Sequence, residues 1–355
     1  MKILITAPSL EICQNVSGIS SVVRRIIQHS RFDFEHFQAG RKDGEKANIS
    51  WIFKQILSVP RFYRKIISEK IDIVHINTAL NPLSILRDAA FVKMACLAKR
   101  PILLHLHGGK FLAQEFENRF LVRIAEKMLK MASVVVVLSE LEKEIIERRW
   151  QNLNVRVLEN AVAPGKEVYG KRKTGEKTII FLGRLHESKG LHEIVEVCRI
   201  LKNENFKFRF NCFGAGDLKD YFVSEMTKIL GEKFYYGGVV SGAEKEKALN
   251  EADIFLLPSR YGEGLPMAML EAMAAKCVVV ISEMASIGAV VKDGINGFTV
   301  EPQNVPQLVG KLKSLLANEK DWESLRKNAR ATIEKKFNLD DYIRKLENMY
   351  TEIKS

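Results

Sequence analysis

Short runs of apolar, often β-branched residues alternate with longer amphipathic stretches along the whole chain. Ten of these runs predict strands: KILITA (2–7), DIVHIN (72–77), PILLHL (101–106), SVVVVL (133–138), VRVLE (155–159), TIIFLG (178–183), FRFNCFG (208–214), FYYGG (234–238), DIFLLP (253–258) and CVVVIS (277–282). They are continuously hydrophobic, which is typical of strands that are buried on both faces of a parallel sheet. Stretches such as SSVVRRIIQH and LKSLLANEK have helical spacing, so the alternation predicts an α/β fold with doubly wound parallel sheets.

Residues 161–177, AVAPGKEVYGKRKTGEK, interrupt this alternation because they are rich in lysine and turn formers and have no apolar period. The alternation starts again directly afterwards, and a length of 355 residues fits about two domains. We therefore predict two Rossmann-like domains, residues 1–165 and 166–338, and a helix over about 339–355 that packs back on the first domain. Ligands of such sheets bind outside the carboxyl ends of the strands, so the loops there are the places to look for chemistry.

The composition, 46% hydrophobic and 28% charged residues, is that of an ordinary globular protein. It excludes a disordered chain, a collagen-like repeat and a small disulfide scaffold. The five cysteines are odd in number and have no C-x-x-C spacing, so we expect a reducing, cytoplasmic location without structural zinc or disulfides. No apolar run approaches the roughly 18 residues of a membrane span, and the first residues do not resemble a signal peptide.

The net charge of +12 is concentrated in the first half of the chain. Residues 1–165 contain 25 Lys and Arg against 16 Asp and Glu, whereas residues 166–355 contain 30 against 27. This asymmetry fits an anionic membrane surface or, equally, a solvated basic face. Segments 111–132 and 61–70 are basic and amphipathic, which suggests a peripheral membrane enzyme, although ordinary helices with one face in the core give the same pattern. No aromatic and basic platform favours nucleic-acid binding.

The most informative segment is 258–274, PSRYGEGLPMAMLEAMA, which follows a predicted strand and enters a helix at Pro266. The loop Gly262–Gly264 can present backbone N–H groups at the helix N-terminus, a place that binds anions and hydroxyls. Glu263 and Glu271 are too far apart to share a proton. They suit hydrogen bonds from two parts of a polyhydroxyl ligand, and the alternative is one capping glutamate and one surface glutamate.

A second segment, FLGRLHESKG (181–190), follows the first predicted strand of the second domain. Arg184 and Lys189 lie beside a helix N-terminus, and such a pair of cations suits a diphosphate. Gly183 lets the backbone approach a neighbour closely. The alternative is a solvated loop with incidental charges.

The first domain offers a glycine and a histidine. Gly18 opens a helical pattern after the first strand and can offer N–H groups to a phosphate or a sugar. His105 and His107 lie on one side of the third predicted strand, because side chains alternate along a strand. We expect His107, the last residue before the glycines, to reach a cleft, and His105 to be a core histidine with its hydrogen bonds satisfied. No third ligand supports metal binding by the pair.

Together these segments resemble the retaining, nucleotide-sugar-dependent glycosyltransferases of family 4. Five short motifs occur in the family's order from residue 1 to about 350: H-G at His107 and Gly108, G-R-L-x-x-x-K-G at Gly183, Arg184, Leu185, Lys189 and Gly190, G-x-G-D at Gly214, Gly216 and Asp217, E-x7-E at Glu263 and Glu271, and D-G-x-N-G at Asp293, Gly294, Asn296 and Gly297. The resemblance implies the GT-B fold, in which two Rossmann-like domains face a cleft. The first domain is then on the acceptor side and the second domain binds the donor.

The resemblance also implies residue roles. Arg184 and Lys189 would stabilise the donor diphosphate, Glu263 would hold the transferred sugar, and His107 would contact that sugar from the first domain. The remaining implied binding residues are Gly18, Gly183, Gly214, Gly216, Gly264, Leu265 and Glu271. The implied reaction is metal-independent and needs no cofactor. It takes a sugar from a UDP-sugar, or alternatively a GDP-sugar, to a glycan or lipid-linked acceptor of cell-surface polysaccharide or lipopolysaccharide synthesis.

Two departures from the family pattern lie in the first domain, where Ser17 precedes Gly18 in place of a second glycine and where residues 159–163 read ENAVA. They concern acceptor geometry more than donor binding. No D-x-D motif is present for a metal-held diphosphate. Two other functions remain open at this point: a UDP-sugar 2-epimerase on the same fold, and a non-catalytic protein that binds a nucleotide sugar or a glycolipid.

Overall fold

The computed structural model describes residues 1–11, 14–15, 17–41, 45, 49–108, 118–165, 175–284, 286–320 and 322–355. The chain divides into two compact units, the first formed by Met1–Asn160 with Asp340–Ser355 and the second by Ala161–Leu339. Each unit contains a six-stranded parallel sheet with helices between its strands. The predicted α/β class with two doubly wound parallel sheets is therefore confirmed.

The sheet of the first unit has the order β2-β1-β3-β4-β5-β6. Its strands are β1 (Lys2–Ala7), β2 (Asp33–Gln38), β3 (Ile73–Thr78), β4 (Ile102–Leu106), β5 (Val134–Val137) and β6 (Val155–Val157). Its helices are α1 (Gly18–His29), α2 (Ile49–Ser68), α3 (Pro82–Leu97), α4 (Arg119–Lys130), α5 (Glu140–Arg149) and the C-terminal α13 (Leu339–Lys354). The inner strands are buried throughout, as their unbroken apolar runs require.

The sheet of the second unit has the order β12-β11-β10-β7-β8-β9. Its strands are β7 (Lys177–Leu182), β8 (Phe208–Phe213), β9 (Phe234–Tyr236), β10 (Ile254–Leu257), β11 (Val278–Ser282) and β12 (Phe298–Val300). Its helices are α6 (Leu191–Asn203), α7 (Lys219–Leu230), α8 (Gly242–Glu251), α9 (Met267–Ala274), α10 (Ile287–Val290), α11 (Val305–Ala317) and α12 (Trp322–Lys336).

The strand order of each sheet reverses at one point. In the first unit the reversal lies between β1 and β3, and in the second unit it lies between β7 and β10. The loops that leave two such neighbouring strands run in opposite directions, which opens a crevice at the carboxyl edge of the sheet. The candidate residues should therefore be sought around these two places.

Helix α13 packs on the first unit through its C-terminal half. The ring of Tyr350 is fully buried and its hydroxyl lies 2.6 Å from Nδ1 of His75 on β3. Lys354 pairs with Asp72 at 2.9 Å, and the Glu347 carboxylate accepts hydrogen bonds from the Ser30 hydroxyl and the Arg31 backbone N–H. The buried bond of Tyr350 and the polar contacts of Lys354 and Glu347 thus join the last helix to this unit.

Two strands, β2 and β12, are absent from the ten that the apolar runs predict. Both lie at the outer edge of their sheets. The sequence of β2, DFEHFQ, mixes polar and aromatic residues because an edge strand is only partly covered, and none of its residues is fully buried. Strand β12 has only three residues, Phe298–Val300.

Two sequence segments fall partly outside the described residues. Residues 166–174 of the predicted linker and 111–117 of the basic amphipathic segment belong to this group. The described part of that segment forms α4, which buries Ala125, Met128 and Leu129 in its own unit. None of the described helices is both long enough and apolar enough to cross a membrane.

Candidate functional site

Two loops of the second unit meet at the point where its strand order reverses. The loop after β7 contains a 3-10 turn, Glu187–Lys189, that ends at Gly190 with a φ of +72°. A Cβ atom at Gly190 would lie 1.9 Å from the carbonyl oxygen of Pro258, in the loop after β10. Only glycine permits this approach, which presses the first loop against the second.

Arg260 ties the two loops together. Its backbone N–H donates to the carbonyl of Ser188 at 2.8 Å. Its guanidinium donates to Glu193 on α6 at 2.7 Å and to Glu187 at 3.3 Å. Arg260 lies within the candidate segment 258–274, but the acidic residues that it contacts are brought to it by the strand order and do not follow from the sequence pattern.

Lys189 and Glu263 form an ion pair across these loops, with the lysine ammonium donating to Oε1 of the glutamate. The fully buried Ser259 hydroxyl donates to the same oxygen at 2.6 Å. The Glu263 side chain is only 8% exposed and that of Lys189 20%. Lys189, the cation expected to bind a diphosphate, is therefore paired with Glu263, the carboxylate expected to bind a sugar. A ligand that carries both groups can separate this pair, with its phosphates bound to Lys189 and its hydroxyls bound to Glu263.

Glu271 forms a second ion pair of this kind in the same unit. It lies on α9, and its Oε1 accepts a hydrogen bond from the Lys245 ammonium of α8 at 2.6 Å. The side chains are 9% and 22% exposed. Nothing in the sequence marks Lys245, because the contact joins two helices that are 26 residues apart at these positions.

Gly214 and Gly216 follow β8, the neighbour of β7. Their φ angles are +138° and +157°, and added Cβ atoms would lie 1.8 Å from the carbonyl of Gly183 and 2.3 Å from that of Leu185. The close approach expected at Gly183 is therefore an approach of the Gly214 backbone to its carbonyl group. The packing of the second unit therefore requires glycine at positions 214 and 216 even when no ligand is bound.

The other predicted residues of this unit lie at the same edge. Arg184 is exposed in the loop after β7. Gly264 and Leu265 are buried just before Pro266, which occupies the N-cap position of α9. The structure thus places these three residues in the loops that carry the Lys189–Glu263 pair.

In the first unit, Gly18 begins α1 as the sequence predicts. The Ser17 hydroxyl accepts the N–H of Ser20 and caps the helix, so serine has a structural role at the position where the family pattern has glycine. A Cβ atom at Gly18 would meet nothing within 4 Å. The fold does not require this glycine, and the open space beside it can admit a ligand.

His75, His105 and His107 form a row across β3 and the end of β4. The ring centroids of His75 and His105 are 5.5 Å apart, and those of His105 and His107 are 4.2 Å apart. The expectation that His105 has its hydrogen bonds satisfied is wrong. Both of its buried ring nitrogens lack a hydrogen-bond partner among the described residues, because the ring lies between two other imidazoles. Gly109, which follows Gly108 in the sequence, lies outside the described residues.

Asn77 fixes the orientation of His107. The Asn77 amide nitrogen donates to the Thr6 carbonyl at 2.8 Å, so its Oδ1 atom is an acceptor. That oxygen lies 2.6 Å from Nε2 of His107, which must therefore carry the proton. The Nδ1 atom of a neutral His107 is then left with a lone pair that can accept a hydrogen bond.

Burial keeps these histidines neutral. It lowers the pKa of His75 to about 3 and that of His107 to about 3. It also lowers the pKa of His105 well below its usual value, and the neighbouring histidines add to that effect. Near neutral pH this row carries no charge, so that His107 can act as a neutral hydrogen-bonding group but not as a cation. In the described part of the chain, no group of three or more His, Cys, Asp or Glu side chains is placed to hold a metal ion.

Two adjacent segments of the chain match models of protein families. Residues 41–166 match Glycosyltransferase Family 4, and residues 167–332 match Glycosyl transferases group 1. A curated relative, the amylovoran biosynthesis glycosyltransferase AmsK of Erwinia amylovora, is 34% identical over 173 residues, which cover 45% of this chain and 41% of that protein. The first curated relatives are matched over only 41–45% of their own length.

Two solved structures share the fold over nearly the whole chain. Sucrose-phosphate synthase from Thermosynechococcus elongatus has a TM-score of 0.79 at 14% identity, with 99% of this chain and 98% of that chain covered. The Anabaena protein HepE, solved in complex with UDP-glucose, has a TM-score of 0.78 at 16% identity, with 99% and 100% covered. Similarity at this level of identity establishes the fold, and it confirms the GT-B class.

Proposed function

The chain belongs to the family-4 glycosyltransferases, and on that premise we propose that it transfers a sugar from a nucleoside diphosphate sugar to a glycan or lipid-linked acceptor. The proposed process is the synthesis of cell-surface polysaccharide or lipopolysaccharide, as the relationship to an amylovoran enzyme suggests. The observation that carries the proposal is the Lys189–Glu263 pair, which lies where the strand order of the second sheet reverses.

The second unit is proposed to bind the donor by exchange of existing partners. The diphosphate takes Lys189 from Glu263, and Arg184 adds a second positive charge. Glu263 then accepts hydrogen bonds from the transferred sugar, assisted by the backbone N–H groups of Gly264 and Leu265. Glu271 accepts the ribose hydroxyls while it keeps Lys245 nearby. Because each charged group has a partner before and after binding, none of them is left buried and unpaired.

Catalysis is proposed to rest on positioning and on stabilisation of the leaving diphosphate. The acceptor hydroxyl attacks the anomeric carbon from the face that the diphosphate leaves, the anomeric C–O bond to the diphosphate breaks, and the hydroxyl proton passes to the departing phosphate oxygen. The anomeric configuration is therefore retained. No protein nucleophile and no metal ion are needed in this scheme. In the first unit, the Nδ1 lone pair of neutral His107 is the proposed acceptor for a sugar hydroxyl, and Gly18 the proposed neighbour of the phosphates.

Calorimetric titration with UDP and with GDP, without metal, tests the donor site. We expect wild-type protein to bind one of the two nucleotides, and Lys189→Ala to weaken that binding by about tenfold or more. Lys189→Gln, which keeps a hydrogen-bond donor for Glu263, should lose similar affinity with less effect on folding. The matched control is Lys233→Ala, which removes another lysine of the second unit that pairs with a glutamate, Glu176.

The outcomes separate the possible functions. Folded wild-type protein that binds neither nucleotide would contradict a nucleotide-sugar enzyme. If one nucleotide binds, a time course with the corresponding donors distinguishes sugar transfer from epimerisation at C2 and from binding without turnover. Equal loss of affinity in Lys189→Ala and Lys233→Ala would contradict a specific diphosphate contact.

A further inference from the structure

Helix α2 of the first unit has a large apolar surface that nothing in the described structure covers. Phe53 and Ile56 are each 60% exposed, Leu57 is 55% exposed and Ile67 is 50% exposed. Relative to Phe53, the other three side chains follow after three, four and fourteen residues. With 3.6 residues per turn, this spacing places all four along one face of the helix. The sequence pattern indicated residues 61–70, and the structure extends the surface to the N-terminal half of the helix.

This surface is not the face by which α2 packs on its own unit. That contact is made by Phe62 and Ile66, both of which are fully buried in the core of the unit. Helix α2 therefore has two apolar faces, of which the core uses one. Isolated exposed apolar residues are common, but several along one helix face mark an interaction surface.

The charges around this surface have one sign. Helix α2 carries Lys54, Arg61, Arg64 and Lys65 and contains no Asp or Glu. Lys65 pairs with Glu35 on β2 at 2.7 Å. The other three are exposed, and no ion pair joins them to another residue of the described ranges. Apolar and uncompensated cationic side chains are thus mixed on one exposed helix.

We propose that the exposed face of α2 seats the first unit on an anionic lipid bilayer. The apolar side chains would enter the boundary between headgroups and acyl chains, while Lys54, Arg61 and Arg64 contact lipid phosphates. Charge complementarity selects this occupant. A second copy of the chain would bring the same cations against each other, and an ordinary apolar protein partner would leave them without counterions.

Co-flotation of the full-length protein with lipid vesicles tests this proposal without any donor or acceptor. We expect binding to vesicles of phosphatidylglycerol and phosphatidylcholine at low salt, and little binding to phosphatidylcholine alone. A variant with Phe53→Ser, Ile56→Ser and Ile67→Ser should bind about tenfold or more weakly. Ile295→Ser is the matched control, because Ile295 is 59% exposed in the second unit.

A charge variant keeps the test independent of the apolar substitutions. We expect the wild-type protein to lose its preference for anionic vesicles in 1 M salt, where the Debye length is about 3 Å. A triple variant with Lys54→Gln, Arg61→Gln and Arg64→Gln should lack this preference at low salt as well, so that added salt hardly changes its binding. The control with the same change in charge is Lys207→Gln, Arg209→Gln and Lys247→Gln, at exposed positions of the second unit. These controls should float like wild-type protein.

Three results would overturn the proposal. The first is wild-type protein that stays unbound from anionic vesicles at low salt. The second is that the apolar variant and the charge variant of α2 both bind anionic vesicles as strongly as the wild-type protein does. The third is a dimer that the apolar variant abolishes while vesicles bind neither form, which would identify a second copy as the occupant. Because no nucleotide is present, none of these results depends on whether the proposed transfer reaction is correct.

Discussion

The two units place different chemistry at the carboxyl edges of similar sheets. In the first unit, His75 and His105 are buried and His107 is half-buried, and desolvation keeps all three rings of this row neutral. In the second unit, Lys189–Glu263 and Lys245–Glu271 are partly buried ion pairs. One site depends on the absence of charge and the other on its presence, although both lie near a reversal of strand order.

The difference indicates what each site can do when a ligand arrives. Ion pairs can exchange partners, so a ligand with negative phosphates and hydroxyl donors can divide each pair between its own groups. The histidine row has no such freedom, because Asn77 and Tyr350 hold its two ends and neither end is charged. The second unit is therefore suited to binding a charged donor, and the first to orienting a neutral hydroxyl.

The largest expected effect is the loss of a charge from the second unit. Glu271→Gln keeps the size of the side chain but removes the charge that would accept the ribose hydroxyls and hold Lys245. Charge-assisted hydrogen bonds contribute about 1.5–3 kcal/mol, so the affinity for the preferred nucleotide should fall about tenfold to hundredfold in a calorimetric titration.

Glu225→Gln is the control for this change, because Glu225 pairs with Lys228 at 2.7 Å on the exposed side of α7. It should bind nucleotide like wild-type protein. Unchanged affinity in Glu271→Gln would mean that this carboxylate only joins α9 to α8 and does not contact the ligand.

The sequence predicts the framework of this comparison better than its contacts. Inner strands are unbroken apolar runs because both of their faces are buried, whereas edge strand β2 is half-covered and therefore reads as DFEHFQ. Glu263 and Glu271 were identified from a glycine loop and a helix start. Lys189 is identified separately as a candidate cation, but its pairing with Glu263 is not predicted and Lys245 is missed, because Lys189–Glu263 depends on the strand order and Lys245–Glu271 on the packing of helices.

The histidine row shows the same limit. Strand periodicity correctly places His105 and His107 on one side of β4, but it contains no information about β3. His75 is therefore missed as the third ring, and His105 is wrongly expected to be hydrogen-bonded. A pattern along one strand predicts which way a side chain points, not which side chain it meets.

The second prediction concerns acid, to which the neutral histidine row should make the first unit sensitive. The pKa of His75 is about 3 in the folded protein and about 6.5 in an unfolded chain. Between these two pH values the unfolded chain binds more protons at this position than the folded protein does. The contribution of His75 to the free energy of unfolding is therefore fully present above about pH 6.5 and is lost as the pH decreases. Each histidine of this kind should lower the free energy of unfolding by about 1.4 kcal/mol for every pH unit in this range.

Denaturant unfolding between pH 7 and pH 5 measures this slope. His75→Asn cannot titrate, and the slope of its unfolding free energy should be lower by about one proton, although its absolute stability is also reduced. Equal slopes in wild type and His75→Asn would show that His75 is not kept neutral by burial.

The smallest expected effect concerns a kind of hydrogen bond that occurs in both units, between a tyrosine hydroxyl and a histidine ring nitrogen. Tyr350 and His75 form a buried bond of 2.6 Å, whereas Tyr221 and His192 form an exposed bond of 3.0 Å between α7 and α6. Tyr350→Phe leaves both nitrogens of His75 unpaired in the core, since Nε2 has no partner among the described residues. It should lower the free energy of unfolding by about 1–2 kcal/mol. Tyr221→Phe should change it by less than about 0.5 kcal/mol, because water replaces the lost partner. Similar changes in both variants, measured by urea unfolding at pH 7, would mean that burial does not set the strength of the bond that holds α13 to the histidine row.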